Sequence, residues 1–360
     1  MTDLLADIEE LVRCESPSSD HDAVARSADV VTELGRRLLG AEPERIVTDG
    51  CTHLRWRFGD VPKVLLLGHH DTVWPHGSLE THPFSVVDGV MRGPGCFDMK
   101  TGVVMILHAV AALEDRSGVT ILITGDEELG SPRSRALIED EARGCEAAFV
   151  LEAAGPGGAL KTRRKGTSIY RVVVQGKASH AGLEPEKGVN AAVEIAHQIL
   201  AVSALDDPSR GTSVVPTVLN AGTTSNTVPA NAAVSVDVRA WDRDEQVRVD
   251  EAIRRLTPVL PGAQIRIEGG INRPPLDAES SAGLFALAST VAGELGLGQL
   301  AETAVGGASD GNFTAGVGVP TLDGLGAVGD GAHADHEHVI VEEIPRRTAL
   351  LTGLVKAVLA

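Results

Sequence analysis

At 360 residues the chain is longer than one ordinary hydrophobic core, which predicts about two domains. Hydrophobic residues at 43% and charged residues at 23% describe a globular protein, and with aromatics at only 3% the core must be built from Leu, Val and Ala. A formal charge of −18 argues against a nucleic-acid partner and against docking on anionic membranes, both of which need basic surface. An anionic substrate then requires local arginines to reverse the sign of the field.

Two helical patterns come first, about Thr2 to Cys14 and Asp20 to Leu39, with Ser19 or Asp20 as the cap of the second. Residues 1–30 lack a basic start followed by an apolar stretch, and no apolar run approaches the length of a membrane span. Cys14, Cys51, Cys96 and Cys145 are scattered without a C-x-x-C pair, so a cytoplasmic location is expected. His53 to Phe58 and Lys63 to Leu67 read as strands, and Phe84 to Arg92 as a hairpin turning at Asp88-Gly89. Helices over Met99–Ala112 and Ser131–Glu141 then alternate with strands over Val119–Thr124 and Ala147–Leu151. Such alternation predicts an α/β fold with a mostly parallel sheet flanked by helices.

Beyond about residue 165 the pattern changes to strand Ser168–Val174, helix Asn190–Ala204, strands Ser213–Leu219 and Ala232–Arg239, helix Asp244–Leu260 and strand Gln264–Glu268. This β-α-β-β-α-β order predicts a ferredoxin-like module, residues 166–273, inserted between catalytic segments 1–165 and 274–360. Helices near Ser280–Leu295 and Glu342–Leu359 complete the chain. The glycine-rich stretch Gly324 to Gly331 matches neither a phosphate loop nor a dinucleotide fingerprint.

The chemistry-bearing positions sit at the ends of apolar runs. His69 and Asp71 flank one residue after Lys63–Leu67; residues two apart share a face of a strand, so His69 can bind a metal while Asp71 orients its ring. Asp98, the pair Glu127-Glu128, Glu152 and His333 follow in order. Each has a bland alternative: Asp98 as a helix cap, Glu127-Glu128 as solvated surface, Glu152 as a lone carboxylate, His333 as part of a polar histidine-rich loop with His336 and His338. Together, with the groups at His69, Glu127 and Glu152 at predicted strand ends, where ligand sites of open α/β sheets collect, they point to two neighbouring divalent metals and a metal-dependent hydrolase.

This ordered set resembles the zinc exopeptidase and deacylase family of glutamate carboxypeptidase, acetylornithine deacetylase and succinyl-diaminopimelate desuccinylase. The likeness runs over nearly the whole chain, and Gly176–Gly182 and Glu343–Arg347 bring it nearest to the glutamate carboxypeptidase branch. The resemblance implies that Asp98 bridges two zinc ions, with His69 and Glu152 on one and Glu128 and His333 on the other; cobalt or manganese can substitute. It implies Glu127 as the general base that deprotonates a hydroxide-forming water held by the two metals. It further implies that the inserted domain is a dimerisation or lid domain of a homodimer, whose His180 reaches the partner's site. Asn226, Arg239 and Arg273 match positions that bind the substrate's terminal carboxylate, although for Arg239 a structural ion pair is an equal alternative. The expected reaction is hydrolysis of an amide or peptide bond to a small, carboxylate-bearing amino acid. N-acyl-amino-acid deacylation or desuccinylation is the alternative. A non-catalytic binding dimer is the reading from another class, and the presence of Glu127 and all five ligands argues against it.

Overall fold

The runs Val64–His69, Val119–Thr124 and Ala147–Val150 bury every residue, as strands covered by helices on both faces must. They form the centre of a six-stranded sheet ordered Glu44–Thr48, Cys51–Arg57, Val119–Thr124, Val64–His69, Ala147–Val150, Thr321–Leu322. The last four strands run parallel, and the first two add an antiparallel edge. Alternation along each strand splits the core. Leu66, Ile121, Ile123 and Phe149 belong to the larger cluster, with the helices Thr2–Val12, His21–Leu39, Thr101–Ala111, Ala278–Glu294 and Glu343–Leu359. Leu65, Leu67, Leu122, Ala148 and Val150 pack instead with Ile138 of helix Arg135–Ala142 and Phe313 of helix Gly311–Gly316.

The computed structural model describes residues 2–360 and divides into two compact units: the chain up to Arg164 together with Leu276–Ala360, and Lys165–Pro275. The second unit holds an antiparallel sheet ordered Ser213–Ala221, Asn231–Ala240, Gly166–Gln175, Gln264–Arg273. Numbered along the chain, its strands lie in the order 4-1-3-2, the ferredoxin-like arrangement. One face, carrying Tyr170, Val172, Val174, Val234 and Val236, packs under Ile195 and Val202 of helix Ala191–Ser203 and Val249 and Ile253 of helix Arg243–Arg254.

Asp20, one of the two expected caps, caps the second helix, its carboxylate accepting from the amides of Asp22 and Ala23. Other boundaries differ from those expected, each for a local reason. The helix expected to reach Leu260 ends at Arg254, because Pro258 disfavours helical backbone before it. Buried Glu194 then takes the amides of Val259 and Leu260 into a turn. The strand expected to end at Glu268 runs on to Arg273 through Gly269, whose φ of +82° suits glycine, and a register shift between Ile271 and Arg273. Among the described residues, no helix is long and apolar enough to cross a membrane.

Candidate metal centre

His69 closes the central strand. Its Nδ1 lies 3.0 Å from the Asp71 carbonyl oxygen and 3.4 Å from Asp71 Oδ1, which puts the ring proton on Nδ1. In the neutral ring Nε2 is thereby the lone-pair donor, and it is buried and without a hydrogen bond. It faces Asp98 Oδ1 and Glu152 Oε1, both at 3.5 Å. The neighbouring His70 points away, its Nε2 3.1 Å from the Thr52 carbonyl, and burial lowers its pKa to about 4.

Asp98 is no helix cap. It sits in the turn Cys96–Lys100 with extended backbone (φ −119°, ψ 96°), and Lys100 occupies the cap position of helix Thr101–Ala111. While Oδ1 faces His69, Oδ2 lies 3.4 Å from His333 Nε2. One carboxylate thus offers an oxygen to each of two imidazoles on different segments. His333 Nε2 is also 3.1 Å from Glu128 Oε2. His336 and His338 do not share this position: the His338 ring turns back to the His336 carbonyl at 2.9 Å.

Glu127 and Glu128 follow strand Val119–Thr124 in a tight turn whose shape is fixed from behind. Asp71 accepts the Glu127 amide at 3.2 Å and the Glu128 amide at 3.3 Å, so one residue orients both the His69 ring and the glutamate pair. Glu127 is buried, and its carboxylate groups with a His69 ring nitrogen and a Glu152 oxygen within 4.8 Å. Glu152 ends the strand Ala147–Val150, beside which Leu151 donates to the Leu67 carbonyl.

The cluster carries too much negative charge for its own imidazoles. Burial opposes a charged His69, but Asp71, Asp98 and Glu152 outweigh it and hold its pKa well above the ordinary value. Asp98 and Glu128 raise His333 to about 10. Burial raises Glu128 to about 7, with His333 partly offsetting it and Asp98 adding to it. Despite burial, His333 and His69 keep Asp98 below the usual carboxylate range. Protons on the imidazoles stand where a divalent cation would stand. The donor set of imidazole nitrogen and carboxylate oxygen, with a tautomer that frees Nε2, fits zinc or a similar ion.

A second buried group, Cys51, His53 and Asp126, does not fit a metal. The Gly125 amide donates to His53 Nδ1 at 3.2 Å, leaving the proton on Nε2. Both Asp126 oxygens are occupied, by the Arg133 amide at 2.7 Å and Ser134 Oγ at 2.5 Å, and burial pushes the Cys51 thiol up to about 12. Cys96 is likewise a buried thiol, raised by desolvation and by the nearby Glu337 carboxylate.

The remaining expected residues lie in the second unit. His180 is exposed, and its Nδ1 accepts the amides of Gly182 and Leu183 at 3.1 Å, so Nε2 carries a proton outward. Asn226 is its neighbour, the Ala181 amide donating to the Asn226 carbonyl at 2.9 Å. Arg239 holds Asp237 with two nitrogens, Nε to Oδ1 at 2.8 Å and Nη2 to Oδ2 at 2.9 Å, which is the ion pair weighed from the sequence. Arg273 is buried at the end of its strand, where its carbonyl accepts from Gln246.

Two supporting residues escaped the sequence reading. Arg164 is buried against Asp323 through Nε–Oδ2 at 2.7 Å and Nη2–Oδ1 at 3.2 Å, and its Nη2 lies 3.7 Å from Glu152 Oε2. Arg164 also donates to the Gly307 carbonyl, and Asp323 accepts Ser309 Oγ at 2.5 Å. The available signal was positional: Asp323 ends strand Thr321–Leu322 just as Glu152 ends its own strand.

The model of Peptidase family M20/M25/M40 matches residues 65–357, which span the whole ligand set. The chain belongs to this family. Carboxypeptidase G2 of Pseudomonas sp. (strain RS-16) is 32% identical over 368 residues, covering 97% of this chain and 87% of that protein. A succinyl-diaminopimelate desuccinylase of Methylorubrum extorquens is 28% identical over 379 residues, covering 96% of each. The crystal structure of an M20 family metallo-carboxypeptidase from Sulfolobus solfataricus superposes with a TM-score of 0.79 at 16% identity, covering 99% of each chain, and so shares the fold. As a member of the M20/M25/M40 family, the chain is a metal-dependent hydrolase.

Proposed function

We propose that this M20/M25/M40 hydrolase cleaves an amide or peptide bond to a small amino acid with a free carboxylate, in the manner of a glutamate carboxypeptidase. The observation that carries the reading is the two-sided presentation of Asp98, with Oδ1 3.5 Å from His69 Nε2 and Oδ2 3.4 Å from His333 Nε2. His69, Asp98 and Glu152 would hold one metal, and Asp98, Glu128 and His333 the other. Zinc is the ion this donor set suits best, with cobalt or manganese as substitutes. When bound, the metal pair supplies Lewis-acid polarisation of the scissile carbonyl and lowers the pKa of the attacking water.

The chain's own residues supply the rest. Glu127 is the general base, taking the proton of the water that attacks the carbonyl carbon. It then returns that proton to the leaving nitrogen as the carbon–nitrogen bond breaks. Asp71 keeps the His69 ring and the Glu127-Glu128 backbone in register. His180, whose outward Nε2–H is a donor, would stabilise the oxyanion or substrate carboxylate across a homodimer, with Asn226 beside it. Arg273 would meet the terminal carboxylate. Arg239, with two nitrogens already on Asp237, is the weaker candidate for that contact.

The similarity to a desuccinylase over 96% of both chains supports a second reading, N-acyl-amino-acid deacylation. After zinc reconstitution, a panel should compare peptidyl and aroyl conjugates of glutamate with N-succinyl and N-acetyl amino acids. The first reading predicts the higher kcat/KM for the glutamate conjugates. Preference for the N-acyl compounds would replace it with the second, and no turnover of either group would reject both.

A further inference from the structure

The loop Gly331–Glu337 approaches the metal centre twice. His333 faces Asp98 and Glu128 from one end. At the other end Glu337 is buried and takes four donors. Its Oε1 accepts the Phe97 amide at 2.8 Å and the Asp98 amide at 3.0 Å, and its Oε2 accepts the Gly95 amide at 2.9 Å and Trp74 Nε1 at 2.7 Å. Three of the four come from the short segment that carries Asp98.

The backbone is shaped for this grip. Gly331 has φ +84°, and a Cβ there would lie 2.8 Å from the Glu337 nitrogen, so only glycine lets the loop fold over itself. Gly95 has φ +70° and turns its amide toward Glu337, while a Cβ there would run into the Thr72 side chain. His333 itself has φ +62°, a conformation that costs a non-glycine residue energy and that the surrounding bonds must hold. The Ala334 amide to Gly331 and the Glu337 amide to Ala334, both at 2.9 Å, make that turn rigid.

We propose that Glu337 is a positioning residue for the bridging carboxylate, and that through it the two metal positions fill as a coupled pair rather than independently. The inference rests on the two-metal reading of the site. A carboxylate can accept all four donors, whereas the isosteric amide of Glu337→Gln must present an NH2 group to two N–H donors at one end. The Asp98 segment then loses either both of its bonds to Oε1 or the Gly95 bond to Oε2, and the Asp98 side chain loses its fixed aim toward both imidazoles. Partners behind metal ligands of this kind change metal affinity by about 10–100-fold when removed.

The test uses the full chain, stripped of metal and titrated with zinc by calorimetry, and a parallel sample loaded with manganese for electron paramagnetic resonance. Wild type should take up two zinc ions with the second bound cooperatively, and two manganese ions should show exchange coupling through the shared carboxylate. Glu337→Gln, with its thermal transition checked, should bind the second zinc about 10–100-fold more weakly and lose the exchange coupling. Trp74→Phe removes only the donor that lies outside the Asp98 segment, and should give a smaller loss in the same direction. It also keeps the test open if Glu337→Gln does not fold. A wild type that binds one ion would overturn the two-metal reading itself. A wild type with two coupled ions whose coupling and second affinity survive Glu337→Gln, or survive Trp74→Phe unchanged where the first variant is unfolded, would overturn the role of Glu337 alone.

Discussion

Loading the site with metal should expel protons, and the number follows from the local electrostatics. In the metal-free protein at pH 7, His333, at about 10, carries a proton, and the carboxylates around His69 bias its ring toward the charged form despite burial. Glu128, at about 7, carries about half of one. All three must be deprotonated to act as ligands, so filling both positions should release at least the proton that His333 holds, and more to the extent that His69 and Glu128 are protonated. The overall binding constant near pH 7 should then rise at least about tenfold per pH unit, the linkage for one released proton. The assay is calorimetric titration of zinc into metal-free protein in buffers of different ionisation enthalpy, where the dependence of apparent enthalpy on buffer gives the proton count. Release of less than one proton, with an affinity flat between about pH 6 and pH 8, would refute the reasoning. The sign can be checked independently. His333 and Glu128 both have folded-state pKa values raised above their ordinary 6.5 and 4.5, so their contribution is complete below those values. It is lost as pH climbs through about 7 for Glu128 and about 10 for His333. Between about pH 6.5 and 8, above the range in which buried His70 adds stability with rising pH, the thermal transition of the metal-free protein should therefore fall as pH rises, and that of the zinc-loaded protein should not fall with it.

Glu127→Ala should keep near-normal metal content by elemental analysis while kcat drops by about 10²–10⁴-fold, the usual general-base contribution; retention of more than about a tenth of the rate would remove Glu127 from that role. Gly102→Ala places a Cβ against the Leu151 carbonyl next to Glu152, so chemical denaturation should report a loss of about 1–3 kcal/mol, and zinc should bind more weakly. An unchanged midpoint and affinity would mean that the helix shifts away freely. Glu127→Ala and His180→Ala chains, each inactive alone, should recover partial activity when mixed and allowed to exchange subunits. Absence of recovery in samples shown to contain heterodimers would mean that His180 does not act across a dimer.

Legibility from sequence followed the physics of each element. The central strands were visible because both of their faces are apolar, and His69, Glu127, Glu128 and Glu152 were visible because each interrupts such a run at its carboxyl end. The strand Leu160–Arg164 was not, since its buried positions alternate Leu, Thr and Arg, and the arginine is inside only because Asp323 meets it. Glu44–Thr48 went unread for the opposite reason: it is a half-exposed edge strand with no apolar face. Pattern alone left Asp98 open between cap and ligand, because that choice depends on His69 and His333, which lie far from it in the chain. The Arg239 ion pair was open in the sequence because it depends on how the side chains of Arg239 and Asp237, two residues apart on the same face, turn toward each other.

The central claim is that Asp98 joins two metal positions. Crystals of the zinc-loaded protein measured at the zinc absorption edge test it most directly. Two anomalous peaks per chain about 3.5–4 Å apart are predicted, one beside His69 and Glu152 and the other beside Glu128 and His333, with an Asp98 oxygen directed at each. A single fully occupied peak, with Asp98 on one side of it and the second ligand group empty at saturating zinc, would contradict the account.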